Sequence, residues 1–187
     1  MKHIKTLIFI ILVTGCTTQK YYLTSNPAMI NSFQTKKVHD GYLLTPTESY
    51  HIQNKVILIP SEYATGQLMN NTIQLIQNKK YYQLEKYLTV VDEKDKYIPL
   101  ANGLLKLFRK NYCGAILDLK NNKQSDIQYI IDLLIVDCEY EIALLNSYDL
   151  NYYEFLEKYQ TILDNYELTD FYKEIINNRI KFIRYKM

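Results

Sequence analysis

Residues able to perform acid–base chemistry are few and widely spaced in this sequence of 187 residues. It contains three histidines, and the two that follow the N-terminal segment, His39 and His51, lie where no helical period is sustained. His39 precedes Asp40, the arrangement of a general base beside an acid that could orient it, although a histidine next to an acid is also common on ordinary surfaces. Glu139 and Glu141 stand two residues apart on a predicted helix, so they point to different faces.

The motifs that usually mark enzymes are missing from the sequence. It has no Gly-rich phosphate loop, no Ser nucleophile elbow and no His-Glu-x-x-His pattern. Two histidines without suitably spaced partners do not make a metal site. We therefore predict no catalytic residue, no metal and no cofactor, and we expect a protein that is not an enzyme. A hydrolase that uses an unrecognised pair of carboxylates stays open as an alternative.

Cys113 and Cys138 have a spacing that permits a disulfide. If the helices that begin near Tyr112 and Asp126 pack antiparallel, these cysteines lie within one helical turn of each other. A bridge that closes a loop of about 25 residues would add about 3 kcal/mol to the free energy of unfolding. The alternative is two buried thiols that pack as small hydrophobic side chains.

The first 16 residues, MKHIKTLIFIILVTGC, have the pattern of an export signal. Lys2 and Lys5 precede the apolar run Leu7–Val13, and a membrane-spanning helix needs a longer run of about 20 apolar residues. A basic start, a short apolar core and a small residue before the cleavage point are typical of secreted chains. We therefore expect residues 1–15 to be removed as a signal peptide.

The tetrapeptide Val13-Thr14-Gly15-Cys16 resembles the lipobox of bacterial lipoproteins. The resemblance implies cleavage after Gly15, lipidation of Cys16 and a location in the bacterial cell envelope, with the acyl chains holding the protein on a membrane. Thr17 stands where inner-membrane retention usually places Asp, which favours the outer membrane. The alternative is an ordinary secretory peptide in which Cys16 is incidental.

The charges balance overall but are separated along the chain. Without Lys2 and Lys5 the remaining sequence has no net charge, which argues against a nucleic-acid partner. Residues 118–170 carry a net charge of −9, and residues 171–187 carry +4. Either the basic last helix packs on an acidic neighbour, or the acidic part forms a surface that steers a basic partner.

Hydrophobic periodicity divides the chain into three parts. Residues 1–15 are the predicted signal peptide, 16–60 an irregular tether that begins with the lipidated cysteine, and 61–187 a helical-repeat domain. The tether contains two short apolar runs, Tyr42–Leu44 and Val56–Ile59, which could pair as a hairpin of strands.

From Gln67 onward, apolar residues recur at intervals of three and four, which predicts seven amphipathic helices. Their short connections predict that sequential helices pack antiparallel. Ser125 before Gln128 and Asn151 before Glu154 have the spacing of helix N-caps. The expected fold is all-α and consists of antiparallel helical hairpins, arranged as a short solenoid or a bundle and preceded by an irregular segment.

One helical hairpin, residues 97–116, carries a family resemblance. Its two segments are Tyr97-x-x-Leu100-Ala101-x-x-Leu104 and Asn111-Tyr112-x-x-Ala115-Ile116. They resemble the paired helices of a tetratricopeptide repeat, although no proline closes the unit. Ala101 and Ala115 are the small residues that would let the two backbones approach closely. The run Tyr81–Tyr87 returns in altered form as Tyr152–Tyr159, which indicates that helical hairpins repeat along the chain.

These features favour a membrane-anchored module that binds a protein or peptide without catalysis. Stacked helical hairpins present an extended surface, and the 19 tyrosines of this Trp-free chain suit both packing and interfaces. A more specific hypothesis is an immunity-type lipoprotein that neutralises a toxin arriving in the envelope. The partner's identity is not encoded in any motif that we recognise.

Overall fold

The computed structural model describes residues 41–44, 57–146 and 150–187, and these residues are mainly helical. The predicted all-α architecture of antiparallel helical hairpins is confirmed for this part of the chain. A two-stranded sheet and a short 3₁₀ helix, Ser61–Ala64, precede the helices. The described helices are α1 (Gln67–Gln77), α2 (Tyr81–Leu88), α3 (Ile98–Phe108), α4 (Tyr112–Leu119), α5 (Gln128–Leu145), α6 (Tyr152–Asn165) and α7 (Asp170–Lys186).

The sheet lies within the segment interpreted as a tether. Strand β1 (Gly41–Leu44) pairs antiparallel with strand β2 (Ile57–Pro60), with Leu44 opposite Ile57. Leu44, Ile57 and Ile59 are buried, so the strands form part of the core rather than a loose lead to it. Strand β2 is also tied to the end of the chain, because the Tyr172 hydroxyl of α7 donates a hydrogen bond to the carbonyl oxygen of Leu58.

The first two helical hairpins turn in the same way. Helices α1 and α3 each end at a lysine in the left-handed conformation, Lys79 with φ 56° and Lys110 with φ 62°. At both ends the backbone N–H of the next residue donates to the carbonyl oxygen five residues earlier: Lys80 donates to Leu75 (2.8 Å), and the corresponding bond after α3 is also 2.8 Å. This is the Schellman motif, which satisfies carbonyl groups left over at a helix end. The turn geometry therefore repeats between the first and the second hairpin.

Helices α3 and α4 approach each other very closely. Ala101 and Ala115 are fully buried, as the sequence pattern required. The tightest point is Gly103, which the pattern did not single out. A Cβ at position 103 would lie 2.5 Å from Cγ of Leu119, far inside van der Waals contact. Gly103 is therefore needed for space, since its backbone is ordinary helix and its φ is not positive.

Helices α5 and α6 run antiparallel. Tyr140, near the end of α5, packs edge-to-face on Phe155, near the start of α6, with the ring centroids 5.2 Å apart. At the other end of the pair, the Tyr166 hydroxyl donates to the carboxylate of Asp132. Two levels of contact thus fix both the direction and the register of the hairpin.

Helix α7 runs parallel to α5. Tyr129 of α5 meets Tyr172 of α7, and further along both helices Asp137 meets Arg179. Arg179 of the basic last helix therefore pairs with an acidic residue of a neighbouring helix, whereas Lys181, Arg184 and Lys186 are exposed. The N-terminus of α5, the C-terminus of α6 and the N-terminus of α7 consequently lie at one end of this three-helix unit, and their opposite termini lie at the other.

The two predicted N-caps have different outcomes. The side chain of Asn151 accepts from the backbone N–H of Tyr153 and of Glu154, so this prediction is confirmed. The prediction for Ser125 is wrong, because α5 begins two residues later than the spacing suggested and its N-cap, Ile127, makes no side-chain cap. The side chain of Gln128 instead donates to Asp132 on the next turn (2.7 Å).

The close approach at Gly103 predicts the effect of a single methyl group. Gly103→Ala should destabilise the fold by about 1–3 kcal/mol, because the added Cβ must push aside a fully buried leucine. The gain of about 1 kcal/mol in helix propensity offsets only part of this cost. Urea unfolding measures the change. Gly66→Ala, where a Cβ meets no atom within 4 Å, is the control. Equal stability of the two variants would contradict the tight packing.

Candidate protein-interaction surface

A buried ion pair holds α5, α6 and α7 in register. Arg179 donates to Asp137 through two nitrogens, Nε to Oδ1 at 2.7 Å and Nη2 to Oδ2 at 2.6 Å. The Tyr159 hydroxyl of α6 donates to the same Oδ1 at 2.8 Å. Arg179 and Asp137 are only 3% and 6% exposed, so neither charge has access to water as an alternative partner. Burial, followed by the charge of Asp137, raises the pKa of Tyr159, which keeps its hydroxyl protonated as the donor.

Five tyrosines lie in contact at the end of the three-helix unit where α7 begins. We call this group the tyrosine face; it comprises Tyr63, Tyr97, Tyr129, Tyr166 and Tyr172. Tyr129 lies at its centre: it packs edge-to-face on Tyr172 with centroids 4.8 Å apart, and its ring is tilted against that of Tyr166 at 6.3 Å. Tyr63 packs edge-to-face on Tyr97 at 6.1 Å, and it also interacts with Tyr129 through the hydroxyl groups. Tyr172 is buried, whereas the other four rings remain partly exposed.

Carboxylates and carbonyls border the tyrosine face. Tyr63 donates to the carbonyl oxygen of Asp126 at 3.2 Å. Burial, followed by the hydrogen bond to Asp132, raises the pKa of Tyr166 to about 12. Burial also raises the pKa of Tyr63, with a further contribution from its hydrogen bond to Glu62. Both hydroxyls are therefore neutral donors, Tyr166 to a carboxylate and Tyr63 to a backbone carbonyl, while the carboxylates of Glu62 and Asp126 are exposed.

The chain places one of its own cations on this surface. The Lys96 ammonium lies 4.6 Å from the centroid of the Tyr97 ring, within the range of a cation–π interaction. A hydrogen bond to Tyr97, with smaller contributions from the charges of Asp126 and Asp95, raises the pKa of Lys96. The tyrosine face is therefore suited, by ring faces and by charge, to hold an ammonium or guanidinium group.

A groove between α2, α3 and the start of α4 is a second candidate. It encloses about 240 Å³, less than most small-molecule sites, and its polar lining includes Asn102. Its two cations are already paired: Arg109 with Glu85 at 2.8 Å, and Lys106 with Asp118 at 2.7 Å. The groove thus has no net charge to offer a ligand, and we place the interaction surface at the tyrosine face instead.

Several residues singled out from the sequence do not enter this surface. Cys16, His39 and His51 lie outside the described residues. Glu139 forms an ion pair with Lys158 of the neighbouring helix at 2.9 Å, as expected of a carboxylate on a solvated surface. Glu141 lies elsewhere on the surface of α5, so the two carboxylates do not face a common site.

Cys113 and Cys138, both in the described region, are not joined by a disulfide. Cys113 is exposed on α4, whereas Cys138 is fully buried on α5. Helix α4 buries Ala115 and Leu119 against its neighbours, and a residue two positions before Ala115 points away from that side. The spacing of the two cysteines predicts only their level along the helices, whereas the rotation of α4 turns Cys113 to the exposed side.

Two features are absent from the described part of the chain. No helix there combines the length and the hydropathy needed to cross a bilayer. Within residues 41–44, 57–146 and 150–187, no three His, Cys, Asp or Glu side chains gather in the manner of metal ligands.

Comparison with models of known protein families, with curated proteins and with solved structures gives no match for this chain.

The sequence contained a signal for the tyrosine face that periodicity does not capture. Tyr97, Tyr129 and Tyr172 lie at or near the first residues of their helices, and Tyr166 follows the last residue of α6. In an antiparallel array, such starts and ends meet at the same level. Aromatic residues that recur at helix termini therefore indicate a cluster at one end of the array.

The buried ion pair predicts a large difference between two arginines of α7. Arg179→Met should lower the free energy of unfolding by about 3–5 kcal/mol, because it leaves the Asp137 carboxylate buried without a counter-charge. Arg184→Met, on the exposed side of the same helix, should change it by less than about 0.5 kcal/mol. Urea unfolding of both variants measures the difference. Adding Asp137→Leu to Arg179→Met should recover part of the loss, and a double variant no better than the single one would contradict this account.

Proposed function

We propose that this chain is a lipid-anchored protein of the bacterial envelope whose helical body binds a basic segment of a protein partner on the tyrosine face. The proposal is carried by the cluster of five contacting tyrosines bordered by exposed carboxylates. Its location rests on the lipobox-like Val13-Thr14-Gly15-Cys16. A catalytic role has no part in this proposal.

Tyrosine is well suited to such a surface. It offers a large amphipathic contact area and loses little rotamer entropy, and tyrosines are enriched among residues that dominate binding energy. The partly exposed rings of the tyrosine face are also held in place by packing and by hydrogen bonds, such as that of Tyr166 to Asp132. A surface ordered before binding avoids part of the entropic cost of association.

The chemistry of the partner follows from the charges. Glu62, Asp126, Glu167 and Asp170 are exposed at this end of the helical body, and residues 118–170 carry a net charge of −9. Such a field speeds encounter with a positively charged partner and disfavours an acidic one. The cation–π contact of Lys96 with the Tyr97 ring is of the kind that a lysine or arginine of the partner would make. A basic toxin that reaches the envelope is one partner of this class, which would make the chain an immunity protein.

Photo-crosslinking in living cells tests the surface directly. A photoreactive phenylalanine replaces Tyr97, and in a control it replaces Tyr82, an exposed tyrosine on α2 that also has a lysine above its ring. We expect a defined protein adduct from position 97 and not from position 82. Adding Asp126→Lys should lower the yield of the adduct about tenfold, because the new lysine repels a basic partner. Glu157→Lys, an equal charge change on the exposed side of α6, should leave the yield unchanged.

An adduct that forms equally from both positions, or whose yield does not change with Asp126→Lys, would place the binding surface elsewhere. The absence of any adduct from position 97 would remove the support for a partner on the tyrosine face.

The anchor has a separate test in Cys16→Ser. Without the thiol no acyl chain can be attached, so the variant should either move to a soluble fraction or stay unprocessed at a higher mass. A single acyl chain is marginal for membrane attachment, so we expect the wild type to carry more than one. Membrane fractionation with detection of the chain's mass measures both effects. A variant that fractionates and migrates like the wild type would refute the lipid anchor.

A further inference from the structure

Large apolar side chains are exposed together at the end of the three-helix unit opposite the tyrosine face. We call them the apolar end; it comprises Leu144, Leu145, Tyr153, Tyr185 and Met187. Leu145 is 76% exposed, Tyr153 73%, Tyr185 84% and Met187 51%. Single apolar residues on a surface are ordinary, but a group of them at one place marks an interaction site.

The helix directions bring these residues together. Leu145 is the last residue of α5, Tyr153 lies in the first turn of α6, and Met187 caps the end of α7. Because α5 and α7 are parallel and Asp137 lies level with Arg179, Leu145 lies level with Met187. A shallow depression of about 340 Å³ is lined by Leu150, Asn151, Tyr152, Tyr153 and Met187.

Positive charge accompanies the apolar end. Lys181, Arg184 and Lys186 are exposed on the last turns of α7, and no acid follows Glu174 in the sequence. The described acids nearest to this end are Glu141 on α5 and Glu154 on α6, and the Glu154 carboxylate is paired with Lys158 at 2.7 Å. The apolar end is thus bordered by exposed cations along the last turns of α7, whereas exposed carboxylates border the tyrosine face.

This combination fits a lipid surface better than a protein. Lysine is depleted from the cores of protein interfaces, whereas exposed leucine and tyrosine beside lysine and arginine are typical of segments that lie at the boundary of headgroups and acyl chains. Anionic headgroups attract cations close to the bilayer, and tyrosine rings favour the interface.

We infer that the apolar end rests on an anionic lipid surface, with Leu145 and Tyr153 entering the headgroup region and Arg184 and Lys186 contacting lipid phosphates. The inference builds on the proposed membrane location and supplies a second contact beside the acyl chains on Cys16. Stable membrane attachment generally needs two such signals.

The contact also sets the orientation of the protein. Helix α6, of 14 residues, connects the two ends, and at 1.5 Å per residue it is about 21 Å long. With the apolar end on the membrane, the tyrosine face is held away from the lipid and open to a partner in solution.

Depth measurements on the lipidated full-length protein test the inference. A nitroxide is attached at Leu145→Cys or, as a control, at Leu117→Cys, an exposed apolar position on α4. Both are made in a Cys113→Ala background, which removes the exposed native thiol. The protein is bound to vesicles of phosphatidylcholine with or without phosphatidylglycerol, and collision of the label with oxygen and with a water-soluble nickel complex is measured.

On vesicles with phosphatidylglycerol we expect the label at 145 to gain contact with oxygen and lose contact with nickel, while the label at 117 stays in water. Replacing Arg184 and Lys186 by glutamine should reverse most of the change at 145. Protein that floats with the vesicles but keeps both labels in water would overturn the inference and leave the lipid anchor intact. Protein that does not float would refute the anchor and the inference together. If the label at 145 is already protected from the nickel complex before vesicles are added, the chain itself or a second copy covers the apolar end. This result would also overturn the inference.

Discussion

The ion pair between Asp137 and Arg179 fixes how α5, α6 and α7 lie along one another. A buried pair of this kind contributes little stability over a well-packed hydrophobic substitute, but an incorrect register is costly because it leaves two buried charges unpaired. Sliding α7 by one helical turn, about 5.4 Å, would separate the guanidinium from both carboxylate oxygens and from the Tyr159 hydroxyl. The pair therefore determines which residues meet at each end, and the chemical difference between the tyrosine face and the apolar end depends on it.

Most of the helical fold was predictable because each helix buries one stripe. Apolar residues at intervals of three and four identified all seven described helices, and short connections gave their antiparallel order. What could not be predicted were features set by a neighbour rather than by the helix itself. The need for glycine at position 103 comes from Leu119 on the next helix, and Ser125 has a capping sequence but lies before a helix that begins later, at Gln128.

The candidate site was less predictable than the fold, because it consists of residues far apart in sequence. Tyrosine content suggested an interface, but only the packing of helix ends places Tyr63 beside Tyr97 and Tyr129. Charge segregation predicted that the last helix would meet an acidic neighbour, and it does so at Arg179. The cysteines show the opposite case: sequence spacing gives a position along a helix but not the rotation, and the exposed side chain of Cys113 depends on the rotation of α4.

The hydrogen bond from Tyr172 to the carbonyl oxygen of Leu58 joins residues 114 positions apart. Helical hairpins such as α1–α2 and α3–α4 can close as soon as they are made, since loop closure over short distances is fast. Strand β2 has to wait for nearly the whole chain before it meets its last partner. The local hairpins need only neighbouring segments, whereas the contact between β2 and α7 needs residues from both ends of the helical body. The tyrosine face includes Tyr63, just after that strand, and Tyr172 itself, so it is complete only once this long-range contact has formed.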